Sequence, residues 1–203
     1  MEPAEQIRPE VKPHSIGSGA AENLRYIRNT IEAAQTFTTI PGKGCIAMGI
    51  AALIAAGLEA TPSFSSYWLP IWLAAAVMSA AVALYFMEQK ARGQGLSLRR
   101  AVATRFFLTL TPAFVAGGIL TVALMDIVGR EFIAGIWLLL YGVGIAAAGL
   151  FSISLVLISG FAFMGLGTVA LAAPPDWAPY LLGSGFGVVH LALGAMIIRD
   201  HGG

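Results

Sequence analysis

The chain has 203 residues, 57% of them hydrophobic and only 11% charged, and its mean hydropathy is +0.78. Soluble domains carry roughly 25% charged residues, so this composition describes a polytopic membrane protein. The net charge of +1 removes any bulk electrostatic argument for nucleic acid as a partner, and the single cysteine, Cys45, excludes an intramolecular disulfide or a zinc ribbon and reads as small apolar filler.

Residues 1–20, with Pro3, Pro9, Pro13, Gly17 and Gly19, are expected to form a disordered tail. No apolar run follows a basic start in the first forty residues, so no signal peptide is expected and the first span serves as the insertion signal. Within 21–40 the stretch ENLRYIRNTIEAAQTF predicts an amphipathic helix, with Leu24, Ile27, Ile31 and Ala34 on one stripe and Arg25, Arg28, Asn29 and Glu32 facing away. Such a helix either lies on the inner leaflet, with Arg25 and Arg28 near anionic headgroups, or pairs with a cytoplasmic protein partner. The stripe covers two heptads, short of the three or four that argue for a coiled coil, which favours the membrane surface.

Pro41 and Gly42 break that helix, and a transmembrane domain is expected over 41–199. Apolar runs at about 42–60, 67–87, 106–125, 132–150, 153–173 and 180–198 each approach the ~20 residues that cross a hydrocarbon core, giving an all-α bundle of six transmembrane helices. The break at GLFSIS is the weakest, having neither charge nor proline. Arg8, Lys12, Arg25, Arg28 and Lys43, then Lys90, Arg92, Arg99, Arg100 and Arg105, then Arg199 fall on one side, and only Arg130 on the other. The positive-inside rule therefore expects both termini, and the tail 200–203, in the cytoplasm of a bacterial inner-membrane protein. Glu59, Asp126, Glu131 and Asp176 collect at the opposite face with an aromatic belt of Tyr67, Trp68, Trp177 and Tyr180. Arg25, Arg28, Arg99 and Arg100 are the candidate cytoplasmic surface; the basic loop reads first as the topogenic signal and second as a lipid or partner contact.

Candidate chemistry is sparse. No acidic or basic side chain lies away from a span end, which argues against carriers of ions or charged solutes. HExxH, GxSxG and Walker signatures are missing, and GVGIAAAG and GSGFG lie inside apolar spans, so no catalytic residue, metal or cofactor is expected. Thr109, Thr121, Tyr141, Ser159 and Thr168 could line a site for an uncharged solute, or simply bond to carbonyls of their own helices. Pro112 is expected to kink the third span or taper it.

In the sixth span, GSGFGVVHLALG places Gly183, Gly187 and Gly194 with His190 on one face of an ideal helix. The glycines form a helix-packing face of the GxxxG kind, and His190 is the candidate functional residue within the membrane. Three readings compete for it: a neutral imidazole bonded across to another helix, a pH-responsive group, or a haem ligand opposite Met48, Met78 or Met164.

Aligning Gly49, Gly118 and Gly165 superposes GIAALIAAG, GILTVALMD and GLGTVALAA, which suggests three hairpin repeats. The segments ENLRYIRNTIEAAQTFTTIPGKG, WLLLYGVGIAAAGLFS and GFGVVHLALGAMIIRDHGG resemble a family of small bacterial six-helix membrane proteins to which no activity is attached. More distantly, the glycine-rich hairpins, with GIWLLLYG, are similar to the HdeD family of acid-resistance membrane proteins. Both resemblances imply fold and supply no catalytic residue. The functional expectation is a non-enzymatic membrane protein with a structural, stress-related or signalling-partner role. A small permease or channel for an uncharged solute is the alternative, and assembly with further copies stays open.

Overall fold

A computed structural model describes residues 22–27, 40–93 and 101–201. The predicted tail 1–20, positions 28–39 of the amphipathic segment, Arg28, Arg99 and Arg100, and residues 202–203 lie outside the described residues. The chain divides into two units, 1–35 and 36–203. In the first, residues 22–27 are helical with every side chain exposed, Arg25 included.

The second unit is helical throughout its regular structure among the described residues, and six of its helices are long and apolar enough to cross a membrane. They comprise α1 (Gly42–Ala60), α2 (Trp68–Gly93), α3 (Ala101–Leu124), α4 (Arg130–Gly149), α5 (Ser154–Ala172) and a sixth span. That last span is composite: α6 (Ala178–Leu182) runs through a π-helical stretch, Gly183–Val189, into α7 (His190–His201). The predicted spans recur at these positions. Differences sit where a polar terminus continues the helix beyond its apolar part: α2 carries on past residue 87 through an Arg92–Glu88 pair at 2.9 Å, one turn apart. At GLFSIS the backbone itself makes the turn. The amides of Leu150, Phe151 and Ser152 bond to the carbonyls of Ala147, Ala148 and Gly149, and Ile153 is extended.

Three further local contacts shape the spans. The Thr61 hydroxyl donates to Leu58 O at 2.7 Å and Gly57 O at 3.0 Å, occupying carbonyls that the end of α1 would leave bare. The Lys90 Nζ of α2 donates to Ile40 O at 3.1 Å, tying α2 to the entry of α1. Helix α3 continues through Pro112, where the neighbouring Thr111 hydroxyl donates to Phe107 O at 3.0 Å.

Packing follows glycine. A β-carbon on Gly42 would lie 2.7 Å from Gly194 O, and one on Gly194 would lie 2.6 Å from Gly42 O. Seven residues on, a β-carbon on Gly49 would meet Gly187 O at 2.8 Å. Helix α1 and the sixth span thus run antiparallel with backbone against backbone. The same device closes α4 on α5: Gly142 would meet Gly160 O at 2.7 Å, and Gly167 would meet Gly135 O at 3.0 Å. In both pairs the glycines step by seven, the repeat that keeps two helices in contact along a left-handed supercoil.

Each closed pair carries one flanking helix, α2 against α1 and α3 against α4. The flanks bury little: Ala75, Met87 and Ala91 from α2, and Phe106, Gly117 and Thr121 from α3. Val77, Leu108, Ile119 and Val122 stay exposed, as lipid-facing side chains should. The sixth span then joins the two halves, because its π-helical stretch also packs on α4 and α5.

The three aligned glycines do not share an environment. Gly49 is pressed against the sixth span, whereas a β-carbon on Gly118 or Gly165 would meet nothing within 4 Å. Their alignment follows from the Gly, Ala and Leu content of the spans rather than from a common contact.

Candidate functional site

Where the two halves meet, the sixth span presents His190 to α4 and α5. An ideal α-helix would put Gly183, Gly187, His190 and Gly194 on one face. The structure divides them. Gly183 faces Ala56, Gly187 faces Leu53, and Gly194 faces Gly42 and Ile46, all on or entering α1. His190 instead reaches Tyr141 of α4 and Phe163 of α5. Gly187 within the π-helical stretch Gly183–Val189 and Gly194 beyond it both face α1, while the imidazole between them bonds to Phe186 O and turns to Tyr141. Gly185, inside that stretch, faces Leu138 and Phe163, so one span offers small residues to both halves.

His190 is 4% exposed, and both ring nitrogens are engaged. Nδ1 stands 2.9 Å from the carbonyl of Phe186, four residues earlier. A carbonyl can only accept, so Nδ1 carries the proton; the neutral ring then accepts at Nε2 from the Tyr141 hydroxyl, also 2.9 Å away. A bond from the ring to its own π-helical carbonyl therefore fixes the tautomer that receives the tyrosine.

Aromatic rings enclose the pair. Tyr141 lies edge-on to Phe163 at 4.8 Å and to Phe186 at 5.0 Å, while Phe163 lies edge-on to His190 at 5.3 Å. The Phe186 ring stacks at 16° to the imidazole, with centroids 6.3 Å apart. Edge-to-face pairs of this kind add about 0.5–1.5 kcal/mol each beyond the area they bury. Chemically, the arrangement is a hydrogen-bonded phenol and imidazole in an aromatic shell, joining α4 to the sixth span. The Nε2 atom, through which a haem ligand would act, faces the Tyr141 hydroxyl.

The candidate hydroxyls separate cleanly. Thr109, Thr121, Ser159 and Thr168 donate to Arg105 O, Gly117 O, Val156 O and Met164 O of their own helices at 2.7–3.0 Å. Tyr141 alone among the five bonds to another span through its own donation, while Thr121 also accepts from Trp137 Nε1 at 2.9 Å, linking α3 to α4.

Reasoning from sequence missed the aromatic shell, since Tyr141, Phe163 and Phe186 are ordinary residues of apolar spans. It also missed the partners of the sixth-span glycines, although Gly42 and Gly49 repeat the seven-residue step of Gly187 and Gly194. Glu59, expected at a span end, is only 2% exposed and accepts from Trp72 Nε1 at 2.7 Å. Among the described residues, no three His, Cys, Asp or Glu side chains gather as metal ligands would. No protein-family model, curated protein or solved structure matches this chain.

Proposed function

We propose that this integral membrane protein is a non-enzymatic anchor in a bacterial inner membrane, with both termini in the cytoplasm and a structural, stress-related or signalling-partner role. One observation carries the reading: the polar side chains inside the spans either join one helix to another or bond to carbonyls of their own helix. His190 and Tyr141 join the halves, Trp137 and Thr121 join α3 to α4, and glycine backbones close both pairs. A bundle so arranged is a rigid platform, and the chain's contacts with partners then fall to the segment 21–40 and the basic loop with Arg99 and Arg100. The distribution of Lys and Arg supports the orientation. The likeness of LRYIR, FTTIPG and GFGVVHLALG to the small six-helix bacterial family supports the same reading.

The test is photocrosslinking in living cells from positions 24–34, stripe and opposite face in turn. The anchor reading expects a discrete protein adduct from one face, lost when the stripe is made polar. Crosslinks to lipid alone from the stripe, with none to protein from any position, would defeat the partner role.

A second reading, a small permease for an uncharged solute, draws support from the seam itself, since the Tyr141–His190 bond lies where two separately closed halves meet. Cysteines placed at positions 121, 141 and 190 decide it: a carrier needs them to react with a water-soluble thiol reagent, and protection of all three rejects it.

A further inference from the structure

Glu59 is the penultimate residue of α1, and its carboxylate is enclosed by protein. Trp72 Nε1 donates to Oε2 at 2.7 Å, which fixes the plane of the group, yet Oε1 has no hydrogen-bond partner. The cation that faces it is Arg130, the first residue of α4, whose Nη1 stands 3.9 Å from Oε1. A charge-assisted N–H···O bond closes to about 2.7–2.9 Å, so this pair is held apart. The same nitrogen lies 3.5 Å from Ser65 O, again at the outer limit of a hydrogen bond.

Two oxygen acceptors, Glu59 Oε1 and Ser65 O, thus address one point, and a loosely seated guanidinium occupies it. The Arg130 side chain is 30% exposed while that of Glu59 is 1% exposed, so the cation has a way out and the carboxylate does not. A buried acceptor without a donor is costly, and a group that supplied short N–H bonds there would be favoured.

We propose that Glu59 and Ser65 O form a binding site for a primary ammonium group, entered from the Arg130 end of the bundle, with Arg130 as the resident cation that the ligand displaces. The donor set selects the ligand class. An ammonium brings three N–H donors on one compact charge and satisfies Oε1 and Ser65 O together. Ca²⁺ favours about 6–8 oxygens and sites rich in carboxylates, and Mg²⁺ an octahedron that keeps several waters, whereas this point offers one carboxylate oxygen and one carbonyl in place of a guanidinium N–H. A quaternary ammonium has no N–H to give, and an anion would meet the Glu59 carboxylate. Trp72 gives the site a connection inward, since its ring lies 6.1 Å from Phe186, whose carbonyl fixes the His190 tautomer.

The experiment is saturation-transfer NMR with the full chain in phosphatidylcholine nanodiscs, using methylammonium as probe and tetramethylammonium as control, against empty nanodiscs. Expected is saturable transfer to methylammonium alone, weakened at least about tenfold by Glu59→Gln and strengthened several-fold by Arg130→Gln, which removes the competitor. Equal transfer to tetramethylammonium, an unaffected Glu59→Gln protein or lost binding in Arg130→Gln would each overturn the site. Absence of any transfer to methylammonium would do the same, leaving ordered water as the filler of the gap. If Glu59→Gln does not stay monodisperse, the Arg130→Gln comparison decides alone: a gain supports the site and a loss overturns it.

Discussion

The imidazole of His190 and the phenol of Tyr141 depend on each other in a way that neither ring could achieve alone. Hydrogen bonds between membrane helices average about 0.6 kcal/mol and reach about 1.7 kcal/mol, and the rings packed against this pair, Phe163 and Phe186, carry no donor that could replace the phenol at Nε2. Tyr141→Phe is therefore expected to cost about 1 kcal/mol in reversible unfolding from detergent micelles. A double-mutant cycle with His190→Leu should return most of that as coupling; a coupling near zero would mean that the bond does not hold the seam. The second polar bridge makes its own forecast. Thr121 Oγ1 donates to Gly117 O at 2.8 Å and accepts from Trp137 at 2.9 Å, so Thr121→Val leaves the indole N–H bare beside a helix. A loss of about 1–2 kcal/mol is expected. A blue shift of the tryptophan emission should accompany it, and an unchanged spectrum would place Trp137 elsewhere.

At the scale of helices, glycine closes a pair most tightly where it meets backbone. Alanine at Gly42, Gly49, Gly142 or Gly160 would drive a methyl into a facing carbonyl or amide at 2.5–2.8 Å, and each change is expected to cost about 1–3 kcal/mol. Alanine at Gly57, Gly118 or Gly165 meets nothing within 4 Å and should be neutral or stabilise by about 0.5–1 kcal/mol. Thermal unfolding of the two sets checks the division; overlapping values would remove glycine as the closing element. The spans were readable in the sequence because hydropathy and the length of a membrane helix leave few alternatives, and α1, α4 and α5 fall within a few residues of their predicted positions. Pairing was not readable, because a lipid-facing glycine and a buried one look alike in a chain with 24 of them. The contact of His190 was hidden for a different reason: a wheel places backbone positions, whereas the long imidazole, bonded to Phe186 O, leaves the face that Gly187 and Gly194 share. The π-helical winding of Gly183–Val189 could not be foreseen from spacing, although three glycines in five residues, 183, 185 and 187, lie where the backbone adopts it.

For the whole molecule, the two ends of the bundle carry different chemistry. Arg130 meets Glu59 and Ser65 at one, while Lys90 meets Ile40 at the other. With the Lys90 end in the cytoplasm, cysteines introduced at Ser63 and Asp126 in a Cys45→Ser background should react with an impermeant maleimide in intact cells, and one at Gln89 should not. Labelling of the reverse set would invert the orientation.

The pairing of the first span with the last also sets an order in time. Helix α4 finds α5 across four residues of turn, so that half can close as soon as both have entered the bilayer. Gly42 and Gly49 have no such neighbour, since their counterparts, Gly194 and Gly187, are made only after four further spans. A chain ended at residue 173 should still trap disulfides between cysteines set across α4 and α5, while leaving α1 open to quality-control proteolysis. The newborn chain thus carries an unclosed edge while four spans are made, and the first pair closes only when the sixth span arrives to meet α1.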